Sequence, residues 1–459
     1  MRYTNSYKEK IKEYVLSKNL TYYIDTMGCQ MNENDSLKYA GILESMGFKK
    51  SDNENANLIL FNTCCVRENA ENTLFGRLGY LKKRKLKEEN VYICVVGCMT
   101  QQKHILDKIK ESYRFVDVVL GTGNISLFPI KLNNVLFNNK KEIEYIEVGN
   151  EIEEDIPIIY NDKYKASVSI IYGCNNFCTY CIVPYVRGRE RSRKPEDIIN
   201  DVKKLAESGY KEIMLLGQNV NSYGNDFKDE LNGYNFPKLL QDIEKIDGIE
   251  IIRFMSPHPK DFKDDLIEVI KNSNKISRQI HLPLQSGNSN VLKKMNRKYT
   301  KEQFLELALK LKNADENISL STDIIVGFPN ETEEEFLDTL DVVEKVKFDQ
   351  IYMFIYSKRN GTIAAKMEDV VSNEEKVNRL ERLKKLYESY LPENNKKMVG
   401  KIYKVLVEGK SKNNDKLYTG RTSQNKVVVF EGNDNLIGNV INIKVESEHL
   451  WYLKGKIQE

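Results

Sequence analysis

At 459 residues, 41% of them hydrophobic, and with a mean hydropathy of −0.53, the chain has room for about three domains and reads as globular rather than membrane-spanning. Its start, Met1-Arg2-Tyr3-Thr4-Asn5-Ser6-Tyr7-Lys8-Glu9-Lys10, is too polar for a secretory signal, and no apolar run approaches the roughly 18 residues of a membrane span. The expected compartment is therefore the cytoplasm, where clustered cysteines act as metal ligands rather than as disulfides. The net charge of +3 hides an asymmetry: residues 396–459 hold 12 Lys and Arg against 7 Asp and Glu, whereas the rest holds 58 against 60. A basic C-terminal module on a near-neutral body suits a polyanion such as RNA.

From Thr21 to Leu120, strand-like and helix-like stretches alternate. Tyr22-Tyr23-Ile24 leads into Thr26-Met27-Gly28-Cys29-Gln30-Met31-Asn32, and a helix follows whose apolar positions include Leu37, Ala40, Ile42, Leu43 and Met46, with Gly47 as its stop. Leu58-Ile59-Leu60-Phe61 ends in Asn62-Thr63-Cys64-Cys65, Val91 to Val96 ends in Gly97-Cys98, and Val116 to Leu120 ends in Gly121-Thr122-Gly123. Short, continuously apolar strands between helices predict a doubly wound parallel sheet covered on both faces. Loops after parallel strands emerge along one edge, where ligands bind, so Cys29, Cys98 and either Cys64 or Cys65 are expected to meet there as a three-thiolate set. Cys94, inside its strand, is expected to be core packing.

Residues 139–165 are charged and irregular and read as a linker. Next comes Tyr172-Gly173-Cys174-Asn175-Asn176-Phe177-Cys178-Thr179-Tyr180-Cys181, where three of the eight cysteines are spaced Cys-x3-Cys-x2-Cys. Three thiolates this close can hold three irons of a [4Fe–4S] cubane and leave the fourth iron open. A structural zinc site would want a fourth protein ligand, yet the next histidine is His258. A small amino acid derivative such as S-adenosylmethionine would chelate the open iron, and Tyr180 could pack on its adenine. The basic run Arg187, Arg189, Arg191 and Arg193 follows and is a candidate contact for an RNA backbone.

Six strand candidates then recur at 166–171, 212–217, 250–255, 279–284, 319–326 and 350–356, with helices between them, which predicts an open (β/α)6 barrel. The strand ends are polar and include Gln218, His258, Ser286 and Ser357-Lys358-Arg359. Gln218, Ser286 and Asp323 are taken as candidate S-adenosylmethionine contacts. A long helical stretch from Glu374 to Tyr390 precedes the breaker Pro392. From about Asn394 the pattern turns to alternation, at Tyr403/Val405/Val407, Val427 to Phe430 and Ile441/Ile443/Val445, which predicts a small antiparallel β-barrel of an oligonucleotide-binding kind.

Together these stretches resemble the radical S-adenosylmethionine methylthiotransferases. The resemblance is carried by Thr26 to Asn32, Asn62-Thr63-Cys64, Gly97-Cys98, Gly173 to Gly188, Leu216-Gly217-Gln218-Asn219-Val220, His281 to Gly287 and Asp323 to Pro329. The basic tail resembles that family's RNA-binding TRAM domain. The resemblance implies three domains, at 20–145, 160–392 and 395–459. It implies one [4Fe–4S] cluster on Cys174, Cys178 and Cys181 and a second on Cys29, Cys64 and Cys98, with Cys65 a bystander. It further implies that S-adenosylmethionine serves as methyl donor and radical source, and that a methylthio group is added to carbon 2 of N(6)-dimethylallyladenosine beside the tRNA anticodon. The stretches Leu215 to Gly224 and Ser256-Pro257-His258-Pro259 favour that substrate; the alternatives are threonylcarbamoyl-adenosine in tRNA or an aspartate of a ribosomal protein. A low-potential donor such as flavodoxin or ferredoxin and a monomeric state complete the expectation.

Overall fold

The computed structural model describes residues 2–65, 70–144, 147–149, 151–227, 230–412 and 414–458. The expected domain boundary at 145 and the terminal Glu459 lie outside them. The chain forms two compact units, one from Met1–Asn161, Tyr172–Asn175 and Cys181–Arg191, the other from Asp162–Ile171, Asn176–Tyr180 and Ser192–Glu459. Among the described residues no helix is long and apolar enough to cross a membrane.

In the first unit, six parallel strands run in the order β2-β1-β3-β4-β5-β6: β1 (Thr21–Thr26), β2 (Lys49–Lys50), β3 (Leu58–Thr63), β4 (Tyr92–Gly97), β5 (Val118–Leu120) and β6 (Glu142–Ile143). Alternate residues of each strand point to opposite faces, so the sheet builds two apolar clusters. Ile59, Phe61, Ile93, Val95 and Val119 pack with Leu74, Leu78 and Leu81 of the helix Ala70–Lys87 and with Ile105 and Ile109 of Lys103–Ser112. Leu58, Leu60, Cys94, Val96 and Leu120 pack with Ile42 and Leu43 of the helix Gln30–Ser45 and with Phe128 and Leu132 of Phe128–Asn138. Cys94 is fully buried in this second cluster. A helix at Arg2–Lys18, not anticipated from the sequence, adds Ile11 and Val15 to that face. Its polar residues dominate locally, and only the tertiary contact selects the buried stripe. The linker is laid onto this unit: Ile159 N–H donates to Leu37 O at 3.2 Å and Ile156 packs on the second cluster.

The second unit holds six parallel strands as two three-stranded sheets, ordered β11-β10-β7 and β12-β13-β14. The strands are β7 (Lys165–Ser169), β10 (Glu212–Leu216), β11 (Ile251–Phe254), β12 (Gln279–His281), β13 (Ser319–Val326) and β14 (Gln350–Ile355); two two-residue strands, β8 (Ile171–Tyr172) and β9 (Arg191–Ser192), flank the cysteine loop. A parallel bridge at Ile252 and Ile276 continues the curve between the sheets, and the outcome is the expected open barrel with helices outside. The helix expected to stop before Pro392 instead runs Asn373–Lys396. Asn394 and Asn395 hold its last turn, donating to Lys347 O at 3.0 Å and to His449 O at 2.9 Å, and these tertiary bonds outweigh the one lost at proline.

The C-terminal part is a closed barrel, β15-β16-β17-β19-β18, of β15 (Ile402–Ser411), β16 (Asn414–Thr422), β17 (Val427–Glu431), β18 (Val440–Glu448) and β19 (Leu453–Ile457). Closure leaves no free edge and buries Val405, Val407, Val428, Phe430, Ile443 and Val445. Its β16–β17 turn docks on the open barrel. Arg253 donates to Thr422 O at 2.9 Å and to Ser423 O at 3.2 Å, and Gln279 N–H donates to Ser423 O at 3.2 Å.

Candidate functional site

The order β2-β1-β3 reverses the direction of chain progression at β1 and β3, the place where doubly wound sheets bind ligands. Cys29 follows β1, Cys64 follows β3 and Cys98 follows β4, three adjacent strands. Two glycines permit the approach. Gly28 has φ +131°, and a Cβ there would lie 2.6 Å from Cys64 Cβ. Gly97 has φ +102°, and a Cβ there would meet Asn62 Oδ1 at 2.5 Å and Thr63 O at 2.6 Å.

The loops are tied by Asn32, which is completely buried on the first turn of the helix Gln30–Ser45. Its amide donates to Thr63 O at 2.7 Å and to Asn62 Oδ1 at 3.2 Å. Its Oδ1 accepts from the Cys29 thiol at 3.5 Å and from the Cys98 thiol at 3.8 Å, which brings two sulfurs from distant parts of the chain to one atom. Cys29 is exposed, and Cys64 and Cys98 are buried. Burial pushes the Cys98 thiol up to about 12, opposed by the Arg187 guanidinium. Cys65 points into the apolar cluster under Met99 and Leu74, its sulfur accepting from Gln102 Nε2 at 2.8 Å; burial raises its thiol pKa well above the ordinary value. Among the described residues no compact group of three His, Cys, Asp or Glu side chains is placed to chelate a single metal ion. The thiols of Cys29 and Cys98 around Asn32, with Cys64 against Gly28, have instead the soft-donor composition and open arrangement that suit an iron–sulfur cluster.

The Cys-x3-Cys-x2-Cys loop divides between the units. In the first, Cys174 N–H donates to Gly188 O at 3.2 Å, and Cys181 leads into the short helix Val183–Val186. In the second, Cys178 is buried and its Sγ accepts from Arg297 Nη1 at 3.4 Å. Arg297 is 4% exposed and also donates to Tyr299 Oη at 3.0 Å and Pro283 O at 3.0 Å, with Tyr180 Oη 3.5 Å away. Thr179 N–H donates to Met295 O at 3.0 Å, and Asn296 donates to Asn176 O at 3.1 Å and Phe177 O at 2.9 Å, so the segment 295–297 backs this part of the loop.

Within the barrel, Asp323 Oδ2 on β13 lies 3.4 Å from Nε2 of His281 at the end of β12, and His281 Nδ1 lies 3.0 Å from Ser321 Oγ. Gln218 is half-buried after β10, and Tyr180 is half-buried against the cluster of Met295, Phe328 and Tyr356. His258 is buried, its Nδ1 accepting from Lys260 N–H at 3.2 Å while Nε2 has no partner among the described residues. Burial, then Arg297 and Lys260, drive its pKa far below the usual range.

Three of the candidate contacts are buried. Ser286 has no exposed surface; its Oγ faces Thr339 Oγ1 at 3.4 Å and accepts from Asn288 N–H at 3.3 Å, which secures the loop. Arg193 is buried, donating to Ser169 O at 3.0 Å and to Asp201 Oδ2 at 2.7 Å. Arg187 is buried against Asp35, Asn32 and Cys98. A guanidinium that is desolvated and carboxylate-paired has its charge largely compensated inside the protein. Of the basic run, Arg189 is exposed and Arg191 half-buried. Asn32, Asp35 and Arg297 escaped the sequence reading, although buried polar residues at 32, 35 and 36 share a face of one helix, a pattern that marks a polar site.

Comparison with known families agrees with this architecture. Residues 21–121 match the uncharacterized protein family UPF0004, residues 168–343 the radical SAM superfamily and residues 396–457 the TRAM domain. The chain is 51% identical over 452 residues to a protein of Thermoanaerobacter pseudethanolicus, covering 98% of this chain and 95% of that one. It is 49% identical over 447 residues to one of Acetivibrio thermocellus, covering 97% and 92%. The chain belongs to the radical S-adenosylmethionine methylthiotransferase family. Both relatives carry the name tRNA-2-methylthio-N(6)-dimethylallyladenosine synthase. Among solved structures, the radical S-adenosylmethionine methyltransferase TsrM of Kitasatospora setae superposes with a TM-score of 0.54 at 12% identity over 76% of this chain and 77% of that one, a likeness of fold.

Proposed function

We propose that this protein methylthiolates carbon 2 of N(6)-dimethylallyladenosine in tRNA, as a radical S-adenosylmethionine enzyme with two [4Fe–4S] clusters. The observation that carries the reading is the pairing, in one chain, of the Cys-x3-Cys-x2-Cys loop with a second set of cysteines at the ends of three adjacent strands. Its likeness over nearly the whole length to proteins named for that product supports the substrate. Carbon 2 of adenine has no acidic proton, so acid–base side chains alone cannot functionalise it.

Cys174, Cys178 and Cys181 hold the first cluster, and Cys29, Cys64 and Cys98 the second. Bound there, the clusters and S-adenosylmethionine would supply the hydrogen-abstracting power and the methylated sulfur that this substitution needs. The chain's own part is to hold and orient. Tyr180, Gln218 and Asp323 are the S-adenosylmethionine contacts, Asp323 steadied by His281. Arg189 and Arg191 remain as contacts for the RNA backbone, and the C-terminal barrel carries the rest of the affinity. That barrel combines its excess of lysines with Trp451, 58% exposed on a loop that Asn395 anchors through Leu450 O at 3.1 Å. Cation and exposed ring together suit single-stranded RNA. The working segments are 20–145 for the second cluster, 160–392 for the first and 395–459 for RNA. A low-potential donor such as flavodoxin or ferredoxin supplies the electron, and the enzyme acts as a cytoplasmic monomer.

The test is mass spectrometry of tRNA nucleosides from cells with and without the gene. Loss of the methylthio-prenyladenosine with accumulation of its precursor is expected. Loss of methylthio from threonylcarbamoyl-adenosine instead would keep the chemistry and overturn the substrate, and no change in either nucleoside would overturn both.

A further inference from the structure

Arg187 follows the last cysteine of the Cys-x3-Cys-x2-Cys loop by six positions, yet its side chain ends at the other cysteine set. Its Nε donates to Cys98 Sγ at 3.2 Å, and its Nη2 donates to Asn32 Oδ1 at 3.2 Å and to Asp35 Oδ2 at 2.9 Å. Arg187 is 5% exposed. The residues between are firmly held. Arg187 N–H donates to Val183 O at 2.8 Å, closing the single helical turn Val183–Val186, and Val186 O accepts from Thr122 Oγ1 at 2.5 Å. Ile182 and Val186 are buried in the same apolar cluster as Cys98 and Met99.

Resting on the two-cluster reading above, we propose that Arg187 is a positioning residue for the second cluster. It holds the Cys98 thiolate and balances the charge that three deprotonated sulfurs bring to the β1, β3 and β4 loops. Metal binding strips the thiol protons. Cys29 and Cys98 then cease to donate to Asn32 Oδ1, and Arg187 becomes the donor that keeps that oxygen satisfied while still reaching sulfur. A cation hydrogen-bonded to a cluster thiolate favours the more negative, reduced state and so raises the reduction potential, whereas a nearby carboxylate lowers it. Arg187 and Asp35 therefore act in opposite directions on one cluster. The stretch Cys181–Arg187 thus carries a cysteine of the first set and a sulfur contact of the second on either side of one anchored helical turn.

The experiment is an EPR-monitored redox titration of the reconstituted full-length protein, following the cluster whose signal S-adenosylmethionine leaves unchanged, with iron content measured alongside. In Arg187→Gln the midpoint should fall by a factor of ten in the reduction equilibrium, about 59 mV for one electron. Arg187→Lys should stay near the parent, and Asp35→Asn should move the opposite way. Loss of half the iron in Arg187→Gln with retention in Arg187→Lys would equally support the charge role. An unmoved midpoint in Arg187→Gln, or equal iron loss in both arginine variants, would overturn it. So would an unchanged midpoint with the salt slope of tRNA binding reduced by about 1, the mark of a phosphate contact. If the parent protein shows only the S-adenosylmethionine-responsive cluster, the two-cluster reading fails rather than the role of Arg187.

Discussion

Each unit buries one arginine against a cysteine sulfur, and the two arginines are neutralised differently. Arg187 meets Asp35 at 2.9 Å as well as Cys98, so the charge is paired before any metal binds. Arg297 meets Cys178, Tyr299 and Pro283 O, and no carboxylate among the described residues pairs with it. Burial alone would lower the pKa of both; nearby sulfurs, joined by Asp35 in one case and by the phenols of Tyr180 and Tyr299 in the other, raise it. The first site is assembled from distant loops and carries its own counter-ion, so its geometry is held whether or not metal is present. The second is set by local spacing, and its arginine reaches full electrostatic compensation when the sulfur beside it is a thiolate.

The sharpest way to break this contrast is to remove one partner from each site in the metal-free protein. Asp35→Ala strands a buried guanidinium and should cost about 3–5 kcal/mol, read by chemical denaturation. Arg297→Met removes an arginine that has no carboxylate, exchanging a desolvated charge for an apolar side chain, and should cost clearly less. Equal losses would mean that the counter-ion does not distinguish the sites.

A third buried charge sharpens the comparison from the acidic side. Glu331 accepts from Gly327 N–H at 2.7 Å and lies 3.0 Å from Arg379, which is also 2.9 Å from Glu375. Because Arg379 is divided among carboxylates, burial prevails and raises the Glu331 pKa to about 7. A carboxyl raised in the folded state contributes stability that is complete below its unfolded value, near 4.5, and lost as pH climbs to 7. Glu331→Gln should abolish that decline, about 3 kcal/mol across the window, in melting curves taken from pH 5 to 7.5. An unchanged slope would mean that Glu331 stays ionised and paired.

The smallest effect is expected at Cys65, a thiol within the apolar cluster rather than at a charged site. Cys65→Ala should keep the full iron content and cost about 1 kcal/mol. Loss of half the iron would hand the ligand role from Cys64 to Cys65.

Local signals were strong wherever one short stretch carried a whole device. The apolar run at 58–61, bounded by turn residues, reads as a buried strand, and Cys-x3-Cys-x2-Cys needs no partner from elsewhere to be recognised. The helix Arg2–Lys18 was illegible because its buried residues, Ile11 and Val15, are few among charges and become a face only when the sheet is there to receive them.

By itself, then, the order of residues determined the parallel sheet, the open barrel, the C-terminal barrel and the Cys-x3-Cys-x2-Cys loop, since period, turn residues and spacing are properties of neighbours along the chain. Tertiary structure decided which polar residues serve those cysteines. Arg187, Arg189, Arg191 and Arg193 look alike in a basic run, yet folding takes Arg187 to Asp35 and Cys98 and Arg193 to Asp201, whereas Arg189 is exposed. A long side chain reads its role from the charge and burial it meets at its tip, and those are set by segments 150 residues away or by a strand end, not by its neighbours in sequence.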